Sequence, residues 1–313
     1  MSKSNYYQIG LALGGGVARG FAHIGILRAF ERHGIRPDIV SGTSIGALAG
    51  ACYLTNKLDE FEQWALSLNR REMFKYMDFR VRSASLIGGK RLFGLLEENF
   101  QDINIEDLDR PFMAIATDLT TGHEVWLRRG NLIRALEASF ALPGVFPPVD
   151  IEGRYLIDGA LVNPCPVSVC RSLGAQMIIA VDLNGDLVGK AAKPGQKFQS
   201  AAGFDVFNEA DVSKEDQKTF FGNALSKRLF RRADDSPSLF GVMVSSLNIV
   251  QDRITRSRLA GDPPDVHLKP LIGHMGLLEF EKAAEFIQEG DAAAERAMPE
   301  IKTAMQALLR PDA

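Results

Sequence analysis

Short apolar runs alternate with amphipathic helical patterns over most of the first 185 residues. The apolar runs have the length and the flanking turn residues of strands, and they lie at 8–13, 36–41, 112–118, 123–127, 154–157 and 177–182. The segments with a helical pattern lie at 20–33, 46–55, 58–69, 91–100, 131–139 and 166–173. Such alternation is typical of a mostly parallel sheet with helices on both faces. We therefore predict a three-layer α/β/α fold, with the core over residues 1–185.

The chain changes character after this core. Residues 186–236 are polar and then basic, and they are interpreted as an insertion that serves as a lid or a flexible segment. Within 214–232, apolar residues at four-residue spacing lie beside lysines and arginines, a pattern compatible with peripheral contact with an anionic membrane. A solvated linker fits the same composition. Residues 237–313 predict a helical segment with one short strand, packed on the core, whose apolar faces are also compatible with a homo-oligomer.

The composition permits one large hydrophobic core. Of the 313 residues, 46% are hydrophobic and 24% are charged, and the formal net charge is −3. So small a charge gives no reason to expect a nucleic-acid partner and does not argue against membrane contact. The three cysteines lie in apolar settings and indicate reduced core residues, which favours the cytoplasm. The chain shows no signal-peptide pattern and no run of about 18 apolar residues, and this agrees with a cytoplasmic protein that contacts the inner face of a membrane at most peripherally.

Ser44 lies in the pattern Gly42-Thr-Ser44-Ile-Gly46, between an apolar strand and a helix of small residues. A nucleophile elbow requires this strand–turn–helix setting, because the turn is too tight for side chains at the two flanking positions. The pattern predicts that Ser44 is a nucleophile. An ordinary connection in which the serine caps a helix is the alternative.

A glycine run, Gly14-Gly15-Gly16-Val-Ala-Arg19-Gly20, follows the first strand and precedes the first helix. Backbone N–H groups of Gly15 and Gly16 at this place would form an anion site with the positive end of the helix behind them. A dinucleotide fingerprint or a phosphate-binding loop fits poorly, since Arg19 stands where the first needs glycine and no Lys-Ser/Thr pair follows Gly20. A simple tight turn remains open.

The third motif, after the Ser44 pattern and the glycine run, is Asp158-Gly159-Ala160. A short strand places a carboxylate at its end, and a glycine then turns the chain. A hairpin turn is the alternative interpretation. None of the five histidines is a convincing partner for Ser44, although His267 or His274 could serve as the base of a histidine triad. Neither the cysteines nor the histidines have metal-ligand spacing, so we expect no metal and no cofactor.

Taken in this order and at these separations, the three motifs resemble those of the patatin-like phospholipases, over about residues 8–185 and more loosely over 236–290. The resemblance implies a Ser–Asp dyad without histidine. Ser44 matches the nucleophile, Asp158 matches the general base, and the amides of Gly15 and Gly16 match the oxyanion hole. Arg19 matches a basic residue that holds the glycine loop in shape. Ala160 stands where many members have glycine, a small departure that keeps both the acid and the turn.

The predicted activity is hydrolysis of carboxylic ester bonds in phospholipids or related acyl lipids through an acyl-Ser44 intermediate. Three other functions stay open at this point. They are an esterase with a histidine triad at His267 or His274, a non-catalytic module that binds an acyl lipid or a partner, and a nucleotide-binding α/β protein that uses the glycine loop.

Overall fold

The computed structural model describes residues 8–68, 100, 102–186 and 239–308, without the side chains of residues 239 and 240. Eight strands form one sheet: β1 Ile9–Leu13, β2 Ile39–Thr43, β3 Phe112–Asp118, β4 Glu124–Leu127, β5 Val149–Ile151, β6 Arg154–Asp158, β7 Met177–Val181 and β8 Val266–Leu268. The α-helices are α1 Ala22–Arg32, α2 Ile45–Leu54, α3 Leu58–Ser67, α4 Leu132–Phe140, α5 Val167–Ser172, α6 Leu239–Gly261 and α7 Ala283–Leu308. The predicted three-layer α/β/α class is confirmed.

Helices cover both faces of the sheet, which explains the continuous apolar runs of its central strands. Alternate residues of β1 enter different clusters: Leu11 and Leu13 pack in the main core, and Ala12 packs with Val167 and Cys170 of α5. Because both faces are buried, every residue of β1 is buried and no polar alternation is possible. The helix α2 is likewise buried along its whole length.

The sheet follows the hydrogen-bonded path β5-β6-β3-β2-β1-β7-β8, with β4 paired to β3. The strands from β3 through β8 on this path pair in parallel, whereas β4, β5 and β6 pair antiparallel. The short β5 was not predicted. It forms a hairpin with β6 through Glu152 and Gly153, which have φ values of 54° and 78°, as a two-residue primed turn requires.

One detail of the pairing decides where the functional residues meet. On β3, Ile115 pairs with Thr43 of β2 on one edge and with Trp126 of β4 on the other. The next residue, Ala116, pairs with β4 and with Asp158 of β6. Since β4 occupies one edge throughout, β2 and β6 share the opposite edge of β3 and meet there end to end.

The C-terminal elements join the same layers. The strand β8 extends the sheet beside β7, and α7 packs along α1. The helix predicted at 91–100 lies outside the described residues except for Phe100. The segment 186–236 lies outside them except for Asp186, so a lid or a membrane contact at 214–232 stays a prediction. No helix in the described residues is long and apolar enough to cross a membrane.

Candidate active site

Ser44 occupies a sharp turn between β2 and α2. Its φ of 56° and ψ of −126° place a non-glycine residue in the left-handed half of the Ramachandran map, where backbone strain is held only by surrounding structure. The Ser44 side chain makes no capping hydrogen bond to α2. The turn therefore has the strand–turn–helix geometry that the sequence predicted, and the Ser44 side chain does not cap α2.

The glycines around the elbow are needed because the backbone is crowded there. A Cβ atom on Gly46 would overlap the carbonyl oxygen of Leu13, because the start of α2 lies directly against the end of β1. Added Cβ atoms would also meet atoms closer than normal contact at Gly20, Gly42 and Gly159. Gly20 and Gly46 let the glycine loop and the elbow approach each other, and Gly159 lets the Asp158 turn approach β3.

The Ser44 hydroxyl donates a hydrogen bond to Asp158 Oδ2 at 2.7 Å. The other carboxyl oxygen of Asp158 accepts the Ala160 N–H at 2.8 Å. Asp158 is only 2% exposed. Burial raises the pKa of the Asp158 carboxyl to about 6, and the hydrogen bonds from Ala160 and Ser44 oppose that rise. The site therefore joins a serine hydroxyl to a carboxylate that takes up a proton more readily than an exposed aspartate.

Buried neighbours hold both members of this pair. Thr117 Oγ1 donates to the carbonyl of Asp158 at 2.9 Å, and the Asp158 N–H donates to the carbonyl of Ala141 at 3.0 Å. The Ser44 N–H donates to Ser139 Oγ at 2.9 Å. Sequence reasoning missed Ser139, since a serine late in an amphipathic helix gives no sign that it will contact a residue so distant along the chain.

The glycine loop lies beside the nucleophile, because a Cβ on Gly15 would be 3.5 Å from Ser44 Cβ. Its free donors are not the pair that was expected. The N–H of Gly14 donates to the carbonyl of Val181 at 3.0 Å, and the N–H of Gly15 donates to the carbonyl of Pro164 at 2.9 Å. The N–H of Gly15 therefore anchors the loop and is not free to bind an anion.

The next two amides along this loop are unpaired. Within the described part of the chain, the N–H groups of Gly16 and Val17 have no hydrogen-bond acceptor. Val17 has a φ of 51°, which is unusual for a β-branched residue. The donors available to an anion are therefore shifted by one residue from the Gly15–Gly16 pair that the sequence indicated.

The side chain of Arg19 is hydrogen-bonded to residues outside the glycine loop. The guanidinium donates to the carbonyl of Met275 at 3.1 and 2.8 Å and to Asn248 Oδ1 at 3.4 Å. Burial lowers the pKa of Arg19 to about 10, and the charges of Glu279 and Asp186 oppose this shift. Arg19 therefore ties the start of the chain to its C-terminal elements.

A histidine makes the side-chain bond to the loop instead. His23 Nε2 lies 2.8 Å from the carbonyl oxygen of Gly14 and must donate to it. Burial lowers the pKa of His23 to about 4, so the imidazole is neutral near pH 7. His23 is fully buried, and its role is to pack and to hydrogen-bond the loop.

Comparison with known proteins identifies the family. The model of the family described as patatin-like phospholipase matches residues 11–171. An uncharacterized NTE family protein of Mycobacterium bovis is 33% identical over 93% of this chain and 91% of its own length. The chain belongs to the patatin-like phospholipase family. The resemblance seen in the three motifs is thereby confirmed.

Two further matches cover a smaller part of the other protein. Neuropathy target esterase sws of Drosophila melanogaster is 36% identical over 56% of this chain but only 13% of that protein. The crystal structure of VipD from Legionella pneumophila covers 93% of this chain and 66% of that chain, with a TM-score of 0.46 and 12% sequence identity. The latter likeness carries no functional argument.

Neither of the two histidines considered for a triad is hydrogen-bonded to Ser44 in the described residues of this patatin-like protein. His267 Nε2 lies 3.2 Å from Asp182 Oδ2, on β8, which is three strands from β2. At the usual spacing of strands, this separation is about 14 Å. No histidine, His274 included, is hydrogen-bonded to Ser44 in the described ranges. The geometry gives no support to a histidine triad.

Across residues 8–68, 100, 102–186 and 239–308, no group of three or more His, Cys, Asp or Glu side chains is arranged to hold a metal ion. Cys52, Cys165 and Cys170 are buried and free, and burial raises the pKa of each thiol.

Proposed function

We propose that this protein is a serine lipid acyl hydrolase that cleaves carboxylic ester bonds of phospholipids or related acyl lipids. The observation that carries the proposal is the 2.7 Å hydrogen bond from the Ser44 hydroxyl, on a strained elbow, to the buried carboxylate of Asp158. Family membership and the esterase name of the Drosophila relative support the ester as the bond that is cleaved.

The first half of the reaction forms an acyl-enzyme. Ser44 Oγ attacks the ester carbonyl carbon while Asp158 takes the hydroxyl proton. With a pKa of about 6, the carboxyl is mostly ionised near pH 7 and still basic enough to accept that proton. The tetrahedral intermediate then breaks its bond to the alcohol oxygen, and Asp158 returns the proton to the leaving alcohol.

The second half releases the acid. Water attacks the acyl-Ser44 carbonyl and gives a proton to Asp158, and the Ser44 oxygen leaves and regains the proton. In both halves the negative oxygen of the intermediate needs nearby donors. The unpaired N–H groups of Gly16 and Val17 supply them in this proposal.

The proposal predicts that a fluorophosphonate probe labels wild-type protein at Ser44, with the adduct located by peptide mass mapping. Ser44→Ala should abolish labelling and ester hydrolysis, because the nucleophile is gone. Asp158→Asn should reduce both by at least ~100-fold, because the amide cannot accept the serine proton.

Two histidine variants serve as controls in the same experiment. His267→Ala and His274→Ala should label at the wild-type rate, since neither ring is bonded to Ser44. Loss of labelling in either variant, with retained labelling in Asp158→Asn, would contradict the dyad and favour a histidine triad. A folded wild-type protein that does not react would favour a non-catalytic module that binds a lipid or a partner.

A further inference from the structure

Ser139 is a fully buried hydroxyl that the proposed reaction does not use. It lies at the second-to-last position of α4, and its Oγ accepts the backbone N–H of Ser44 at 2.9 Å. The two residues are 95 positions apart in sequence. This contact is therefore a tertiary one, made directly to the backbone of the proposed nucleophile.

The Ser44 N–H lacks any other partner in the described residues. The ladder between β2 and β3 ends at the pair Thr43 and Ile115, one residue before Ser44. The first N–H groups of a helix have no acceptor within the helix, so α2 does not satisfy it either. Without Ser139, a buried donor would be left unpaired at a residue whose backbone is already strained.

The same end of α4 also holds the other member of the pair. The carbonyl of Ala141, two residues after Ser139, accepts the backbone N–H of Asp158 at 3.0 Å. One short stretch of chain thus bonds the main chain of both Ser44 and Asp158. These bonds hold the two residues at the separation that the 2.7 Å hydrogen bond needs.

We infer that Ser139 is a positioning residue for the reaction: its hydroxyl holds the Ser44 elbow in the conformation that aims Oγ at both Asp158 and the substrate carbonyl. This inference rests on the proposed function. Ser139 does not touch the reacting atoms, and it acts through the backbone of Ser44. Its loss should therefore slow the chemical step and leave binding of substrate nearly unchanged.

A matched control is available in Ser41, three residues before Ser44 on β2. Ser41 is also fully buried, and its hydroxyl donates to the carbonyl of Pro166 at 3.0 Å and contacts Cys170 Sγ at 3.1 Å. Removing that hydroxyl takes away a buried hydrogen bond without touching Ser44. A purely structural effect should appear equally in Ser41→Ala and Ser139→Ala.

The test measures kcat and KM with a soluble chromogenic ester, and the fluorophosphonate reaction rate per folded molecule, in wild type, Ser139→Ala and Ser41→Ala. We expect kcat and the labelling rate of Ser139→Ala to fall by about 10- to 100-fold with KM little changed, because a small misplacement of a reacting group slows the chemical step by such factors. Ser41→Ala should keep the wild-type rates even where its thermal midpoint falls. If Ser139→Ala does not fold, Ser139→Cys fills nearly the same volume with a weaker acceptor and should show the same direction of change.

Wild-type rates in a folded Ser139→Ala protein would overturn the inference, and so would an equal loss in both variants. A wild-type protein that does not react with the probe gives a different result, because it removes the proposed function first.

Discussion

At the scale of the residue, the carboxyl group of Asp158 lies in an environment unlike that of a surface side chain. Burial favours its neutral form, yet the proposed reaction requires the charged form as a proton acceptor. The same burial that makes Asp158 a usable base therefore lowers the stability of the folded protein at neutral pH.

The sign of this effect can be tested with Asp158→Asn. A group whose pKa rises on folding contributes stability at pH values below its unfolded pKa. This contribution is lost as the pH rises through the folded pKa. A rise from 3.8 to about 6 corresponds to about 3 kcal/mol. We expect Asp158→Asn to unfold in urea with a free energy up to ~3 kcal/mol higher than wild type at pH 8, and the gain should disappear as the pH falls from 6 to 4.

Asp118→Asn provides a control of opposite sign. The N–H of Thr121 and the side chain of Arg154, together with the N–H of Thr120, lower the pKa of the Asp118 carboxyl. Its charged form therefore stabilises the fold above the unfolded pKa, and the amide should destabilise the protein at pH 8. A gain in both variants, or no pH dependence for Asp158→Asn, would contradict the interpretation.

At the scale of elements, α1 and α7 pack in close contact. A Cβ on Gly290 would overlap the carbonyl oxygen of Ala22, and a Cβ on Gly25 would overlap that of Ile287. The two helices thus cross with backbone against backbone, and each supplies a glycine at the crossing. The two helices are far apart in the sequence, so the sequence alone does not predict that these glycines lie opposite each other.

Gly290→Ala tests this contact, because two effects of opposite sign compete. Alanine in the middle of a helix is favoured over glycine by about 1 kcal/mol. The overlap with a backbone carbonyl cannot be relieved by rotation of a side chain and should cost ~3 kcal/mol. We therefore expect a net loss of ~2 kcal/mol in the free energy of unfolding, measured by urea denaturation.

Gly261→Ala is the matched control for the α7 variant. Gly261 ends α6, and a Cβ there meets no atom within 4 Å. It should be neutral or slightly stabilising. A stabilising Gly290→Ala would show that the helices separate easily and that the close crossing is not required.

At the scale of the molecule, the C-terminal elements support a site whose motifs lie far away in sequence. Arg19 is 256 residues from Met275, whose carbonyl it bonds, and the Ala18 N–H donates to the carbonyl of Leu277 at 3.0 Å. Both partners lie beyond the 11–171 region that the family model matches. The glycine loop is thus held by a part of the chain that carries none of the three motifs.

Arg19→Lys should show how much this connection contributes. The ammonium cannot reproduce the fork of a guanidinium that bonds Met275 and Asn248 together. Because Arg19 is only 2% exposed, the loss should be ~2 kcal/mol in the free energy of unfolding. The measurement is urea denaturation at pH 7.

Arg32→Lys is the matched control, because Arg32 makes the corresponding connection between the two ends of the chain at an exposed position. Its guanidinium bonds Asp291 and Glu295 of α7, but its side chain is 52% exposed. Its replacement should change stability by less than ~1 kcal/mol. Equal effects of the two variants would mean that burial of Arg19 does not matter.

Local patterns accounted for much of the fold and for the identity of the main residues. Apolar runs indicated the parallel strands because both faces of the sheet are buried, and the glycines around Ser44 indicated an elbow because no side chain fits there. The hairpin strand β5 was missed, since three residues are too few to show a pattern and Glu152 is not a typical residue for its turn.

The sequence by itself thus determined the class of sheet, the elbow and the serine and carboxylate that meet there, because each depends on neighbouring residues. Only the tertiary structure decided which loop amides are free, since the carbonyl that occupies the Gly15 N–H comes from Pro164. It also decided the pKa of Asp158, the contact of Ser139 with Ser44 and the partners of Arg19. These properties arise from burial and from hydrogen bonds between residues that are distant along the chain, and no local pattern encodes them.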